Sequence, residues 1–167
     1  MTNPLLVLKH IDVSVPIDGA ASLPILHDIS LTFRAGETVA IVGPSGSGKT
    51  TFMMVCAGLQ APSKGEVQFQ GERIPFGNEE ALTVWRQKHI GIVFQNFHLL
   101  PTSTALENVM LPLEIAGQSS ADEIRAEAEA LLRDVGLGHR LHHLPAQLSG
   151  GEQQRVALAR AIARKPA

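Results

Sequence analysis

The chain has no tyrosine, one tryptophan and one cysteine, and aromatic residues make up only 4% of its 167 residues. A single cysteine, Cys56, excludes an internal disulfide and points to a reducing, cytosolic setting. No window reaches 18 uninterrupted apolar residues, so no helix is expected to span a bilayer. The opening "MTNPLLVLKHID" has too short an apolar run for a secretory signal and no basic leader. Neither charge sign dominates: 14 basic residues face 16 acidic ones, for a formal net charge of −2. That balance removes any general electrostatic reason to expect nucleic acid or a membrane surface as partner. Internal repeats and low-complexity tracts are absent as well. What is plentiful is apolar content, 44%, enough for one soluble domain with a sizeable core.

The pattern changes along the chain. Branched residues in "LLVLKHIDVSV" (5–15) and "ILHDISLTF" (25–33) predict two strands, with a turn at "DGAASLP" (18–24). "ETVAIVG" (37–43) reads as a strand buried on both faces, and "GEVQFQG" (65–71) and "IGIVF" (90–94) as two more. "KTTFMMVCAGLQ" (49–60) predicts a helix with Phe52, Val55 and Leu59 near one face. From about residue 97 helices take over. "TALENVMLPLEIAG" (104–117) is one, with Pro112 expected to bend or break it. "SADEIRAEAEALLRDVG" (120–136) is another: Ser120 and Glu123 form a capping box, Ile124, Ala128, Leu131 and Val135 a stripe, and Gly136 the stop. Trp85, in "TVWRQKH", is expected to anchor a short helix before strand 90–94.

Two stretches carry chemistry. "GPSGSGKT" (43–50) fits G-x-x-x-x-G-K-[ST] between a strand and a helix. Holding a phosphate chain requires several backbone N–H groups to point inward together, in conformations that Gly46 and Gly48 permit. The helix beginning near Lys49 turns its N-terminal dipole to the anion. Lys49 supplies a point charge for the terminal phosphates, and the Thr50 hydroxyl a Mg²⁺ ligand. The reading is a nucleoside triphosphate site with Mg²⁺. The second stretch is "LSGGEQQR" (148–155), where Ser149, Gly150 and Gly151 lead into a helix starting near Glu152. It is either a second anion site or an ordinary Ser149 cap.

"GPSGSGKT", "VFQNF" and "LSGGEQQRVALARA", in this order and spacing, make the whole chain resemble the nucleotide-binding domain of ABC transporters. The resemblance implies an α/β fold, a P-loop NTPase core of the ABC type with an antiparallel β subdomain and an α-helical insert. Residues 1–96 would be the ATP-binding core with Walker A, 97–147 the helical subdomain, and 148–167 the signature motif with its helix. Gly43, Pro44, Ser45, Gly46, Ser47, Gly48, Lys49, Thr50 and Thr51 would form Walker A. Gln95 would be the Q-loop glutamine, acting in catalysis and, with Thr50, on the metal. Leu148, Ser149, Gly150, Gly151, Glu152 and Gln153 would be the signature. The implied cofactors are ATP and Mg²⁺. The implied partners are a second nucleotide-binding domain, paired head to tail so that each ATP lies between one Walker A and the other signature, and integral membrane subunits. The implied location is the cytoplasmic face of the inner membrane, held there by those subunits. "ALENVMLPLEIAG" and "HLPAQLSGGEQQRVALARA" are most similar to the bacterial subgroup of lipoprotein release, macrolide efflux and cell-division complexes. Phe97, Leu99 and Leu100, within 96–109, would line a groove for a membrane subunit or else pack in the core.

The chain departs from the family in two places. Many members stack adenine on an aromatic residue 25 to 30 positions before Walker A, whereas no aromatic precedes Phe33 here. Val13, Val15, Pro16 or Ile17 must then offer an apolar platform, and GTP is expected to compete with ATP more than usual. The chain also stops at "ARAIARKPA", where the family continues into Walker B, the catalytic Glu, the D-loop and the switch His. That stop makes a fragment, inactive alone and lacking part of the core, the expectation. An alternative is a non-catalytic nucleotide-binding module. A soluble ABC protein of DNA repair or translation fits less well, since neither a long coiled coil, a second cassette nor a basic extension is present. His139, His142 and His143 read as a solvated patch rather than a metal site, and His89 and His98 as structural.

Overall fold

The computed structural model describes residues 4–17, 20–117 and 119–167. They form two compact units, Met1–Thr83 and Val84–Ala167, each with its own core rather than the one core that composition suggested.

In the first unit, β1 (Pro4–Ile17) pairs antiparallel with β2 (Ala20–Arg34) on one side and with β3 (Lys64–Phe69) on the other. The short β4 (Glu72–Arg73) completes a sheet of order β2-β1-β3-β4. Strict alternation would send Leu8 and Ile11 to opposite faces, yet both are buried, as is Val13. The register slips between Leu8 and Ile11, and an extra residue in a ladder turns the following side chains over. At the slip His10 and Asp28 take φ of 50 and 48°. β3 passes so close that a Cβ on Gly65 would lie 2.3 Å from the His10 carbonyl oxygen. Glycine is therefore required there. The expected turn at 18–24 is shorter, because β2 already begins at Ala20; Asp18 and Gly19 lie outside the described residues. α1 (Lys49–Cys56) buries Phe52 and Val55, with the Phe52 ring 6.4 Å from that of Phe33 on β2. It ends four residues earlier than expected, as Ala57 caps it and Gly58 follows with φ 68°.

Two expected strands do not form. Neither 37–43 nor 90–94 joins a ladder among the described residues, and Val42 is 87% exposed where burial on both faces was expected. An apolar run becomes a strand only when a neighbour accepts its backbone hydrogen bonds. Periodicity shows the side chains and cannot show the neighbour.

In the second unit, α3 (Ala105–Ala116), α4 (Ala121–Asp134) and α5 (Gly150–Ile162) close on Leu106, Val109, Ala128, Leu132, Leu137 and Val156. α2 (Glu79–His89), which spans the junction in sequence, carries Trp85 half-buried, its ring 5.9 Å from that of His89. Capping boxes start α3 at Thr104 and α4 at Ser120. α3 runs through Pro112 as one element, so of the bend or break expected there, the break does not occur. On α4 the buried stripe is Ile124, Ala128 and Leu132, while Leu131 and Val135 pack at its margin. Among the described residues no helix is long and apolar enough to cross a membrane.

Candidate functional site

Residues 43–51 build a cradle in the first unit. Gly43, Gly46 and Gly48 hold φ of 154, 79 and 86°, so the loop follows a path that L side chains resist. Gly48 is constrained twice, since a Cβ there would also lie 2.9 Å from Leu26 and 3.0 Å from the Ile25 carbonyl oxygen. It is the N-cap of α1, with no side chain to satisfy the first-turn amides. An uncapped helix start at a glycine leaves N–H groups open to an anion. Lys49 is half-buried, and its Nζ donates to the Gly43 and Pro44 carbonyl oxygens at 3.0 and 2.7 Å. The loop is thus closed by its own cation. Thr50 is exposed and Thr51 half-buried on the same first turn.

The other two motifs lie in the second unit. Gln95 is exposed in a turn closed by the Phe97 amide donating to the Phe94 carbonyl at 3.0 Å. Phe97 and His98 follow with φ of 59 and 45°, and the His98 ring stacks on Phe94 at 4.7 Å. Leu99 packs against the helical core while Leu100 faces outward.

At the signature, Ser149 is the N-cap of α5, which begins at Gly150, two residues before Glu152. The Ser149 amide and hydroxyl donate to Glu152 Oε2, each at 2.8 Å, and the Glu152 amide donates back to Ser149 Oγ at 3.3 Å. These bonds, with Arg140 at 3.0 Å, hold the Glu152 carboxyl down at about 2. Gln153 Nε2 donates to the Pro145 and Leu148 carbonyls, fixing the turn that presents Ser149. Both readings of Ser149 survive this geometry: it is a cap, and it faces outward. Arg140 also reaches His143 Nε2 at 3.1 Å, which gives that histidine a neighbour in the fold.

Two side chains went unremarked in the sequence. Asn108 is fully buried within an apolar helix. Its Oδ1 accepts from the Leu100 amide, and its Nδ2 is shared among the carbonyls of Leu100, Ser103 and Thr104. An asparagine in an otherwise apolar stripe was the available signal. Arg160 of α5 donates from Nη1 to the His98 carbonyl and from Nη2 to that of Phe97, both at 2.7 Å. No pattern in the sequence announced that contact. It borders an open groove of about 420 Å³ lined by Ile90, Ile92, Phe94, Leu111 and Ile115. The proposed adenine platform loses one candidate, because Val13 is 1% exposed and faces the core, whereas Val15 is 44% exposed.

The family model described as ABC transporter matches residues 26–167. The chain is 53% identical over 159 residues to the ABC transporter ATP-binding protein YbbA of Escherichia coli K12, covering 95% of this chain and 69% of that protein. It is 47% identical to the lipoprotein-releasing system ATP-binding protein LolD of Idiomarina loihiensis, covering 99% and 72%. The dimeric post-hydrolysis structure of the ATP-binding cassette MJ0796, bound to ADP and Pi, superposes with a TM-score of 0.89 at 40% identity, over 97% of this chain and 71% of that one. These likenesses agree with the glycine-lined cradle at 43–51: the chain belongs to the ABC transporter family as an ATP-binding subunit.

Proposed function

We propose that the cradle 43–51 binds ATP with Mg²⁺, and that Ser149, Gly150 and Gly151 receive the phosphates held by a second subunit's cradle. The observation that carries the first half is the uncapped start of α1 at Gly48, where a side chain has no room. Lys49 would exchange its two carbonyl partners for phosphate oxygens. Hard oxygen donors suit Mg²⁺, and the Thr50 hydroxyl is the cradle's own donor for it. When bound, ATP supplies the phosphoanhydride whose hydrolysis drives the transporter. The protein's part is positioning and charge neutralisation, and Gln95, exposed on its turn, is the residue for orienting the attacking water.

The second half is supported by the two glycines of the signature. Neither Gly150 nor Gly151 has a positive φ, and a Cβ at either would meet nothing closer than 3.8 Å. Glycine has lower helix propensity than alanine, and among the described residues nothing requires it here. Close approach from outside does. Dimeric cassettes among the similar structures favour another nucleotide-binding subunit as that visitor.

In this reading residues 1–96 act as the ATP-binding core, 97–147 as the helical subdomain and 148–167 as the signature segment. The subunit works at the cytoplasmic face of the inner membrane, coupled to membrane subunits. LolD relatives support export or envelope work over uptake. Lys49→Ala should weaken Mg-ATP binding by at least about 100-fold, measured calorimetrically. Ser149→Ala should leave single-subunit binding within about twofold and weaken ATP-dependent dimerisation in sedimentation. Equal loss of single-subunit binding in both variants would overturn the head-to-tail assignment.

A further inference from the structure

Gln95 sits on a segment that α5 holds from both sides. Before it, the backbone at Gly91 presses on the helix so closely that a Cβ would lie 2.3 Å from the Ala161 carbonyl oxygen. After it, the Arg160 guanidinium spans the Phe97 and His98 carbonyls with two bonds of 2.7 Å. Those two residues are in the left-handed region, a conformation that non-glycine residues resist. It persists because something holds it, and the planar fork of arginine suits two successive carbonyls as a lysine ammonium does not. Asn108 fixes the next stretch, Leu100 to Thr104, from α3. Arg160 and Ser149 share one helix and lie about 16 Å apart along it. A helix of this length moves as a rigid body.

We propose that Arg160 is a positioning residue that ties Gln95 to the signature helix, so that docking a partner's phosphates on Ser149 shifts the loop carrying Gln95. The inference rests on the role given to Gln95 above. It assigns to Arg160 no contact with nucleotide.

The test uses the subunit in complex with its membrane partner and compares Gln95→Ala, Arg160→Lys and the double variant. Each single change should lower kcat about tenfold with KM for ATP nearly unchanged. The double variant should be no slower than Gln95→Ala, because the clasp acts only through that glutamine. Hydrogen exchange in Arg160→Lys should speed up across 94–100 and leave α5 protected. A normal kcat in Arg160→Lys, or losses that multiply in the double variant, would overturn the inference. Loss of α5 protection would do so too, by making Arg160 a support of the helix. A normal kcat in Gln95→Ala would instead remove the underlying role of Gln95, and the clasp with it. If Gln95→Ala slows turnover while Arg160→Lys does not, the glutamine's role stands and only the clasp falls.

Discussion

Glu152 does two jobs that pull in opposite directions. Its carboxylate satisfies the Ser149 amide and hydroxyl, which fixes the start of α5, yet it puts a negative charge beside a site proposed to face phosphate. Arg140 at 3.0 Å offsets part of that charge. Because the folded carboxyl is held at about 2 against an ordinary 4.5, the cap contributes its stability fully above about pH 4.5. The contribution is lost as pH falls through that window toward 2. Acid unfolding followed by circular dichroism should therefore be less steep over pH 4.5 to 2 in Glu152→Gln than in the parent chain. Identical acid profiles would mean that the carboxylate form does not secure the cap. Cys56 is the quiet counterpart, a half-buried thiol pushed up to about 12 by burial and so protonated at neutral pH.

Elements were legible from sequence where local chemistry decides them. The capping box at Ser120, the cap at Ser149, the glycine cradle and the β1–β2 hairpin have their causes within a few residues. Residues 37–43 and 90–94 are the counterexample, since a ladder depends on a neighbour distant in sequence. The site divides the same way: the motif residues were readable, while the Arg160 clasp joins residues 62 and 63 positions apart and left no periodic trace. Asn108 lies between, visible as a polar residue in an apolar helix but with partners that only the fold reveals. Replacing it with alanine strands the Leu100 amide and several carbonyls, a loss of about 1–3 kcal/mol for a buried unsatisfied group. Denaturant titration of Asn108→Ala should show a lower midpoint with an unchanged slope. A midpoint equal to the parent's would mean that water satisfies the loop equally well.

For the molecule as a whole, membership in the ABC family fixes the nucleotide class, while the make-up of this chain tunes selectivity. If Val15, Pro16 or Ile17 takes the place of an aromatic ring under the base, a stacking contribution of about 1 kcal/mol is given up. Competition binding should accordingly find GTP competing with ATP more than usual in the family, and a clear ATP preference would count against this. The same scarcity of aromatics has an optical side. With no tyrosine and one tryptophan, nearly all near-ultraviolet absorbance and all indole emission arise at Trp85, whose ring lies tilted 5.9 Å from that of His89. Burial and the neighbouring Lys88 keep that imidazole's pKa below its ordinary value, so the ring beside the fluorophore is neutral at physiological pH. The chain thus carries a label-free reporter fixed on one helix, whose emission reads the surroundings of Trp85 on α2.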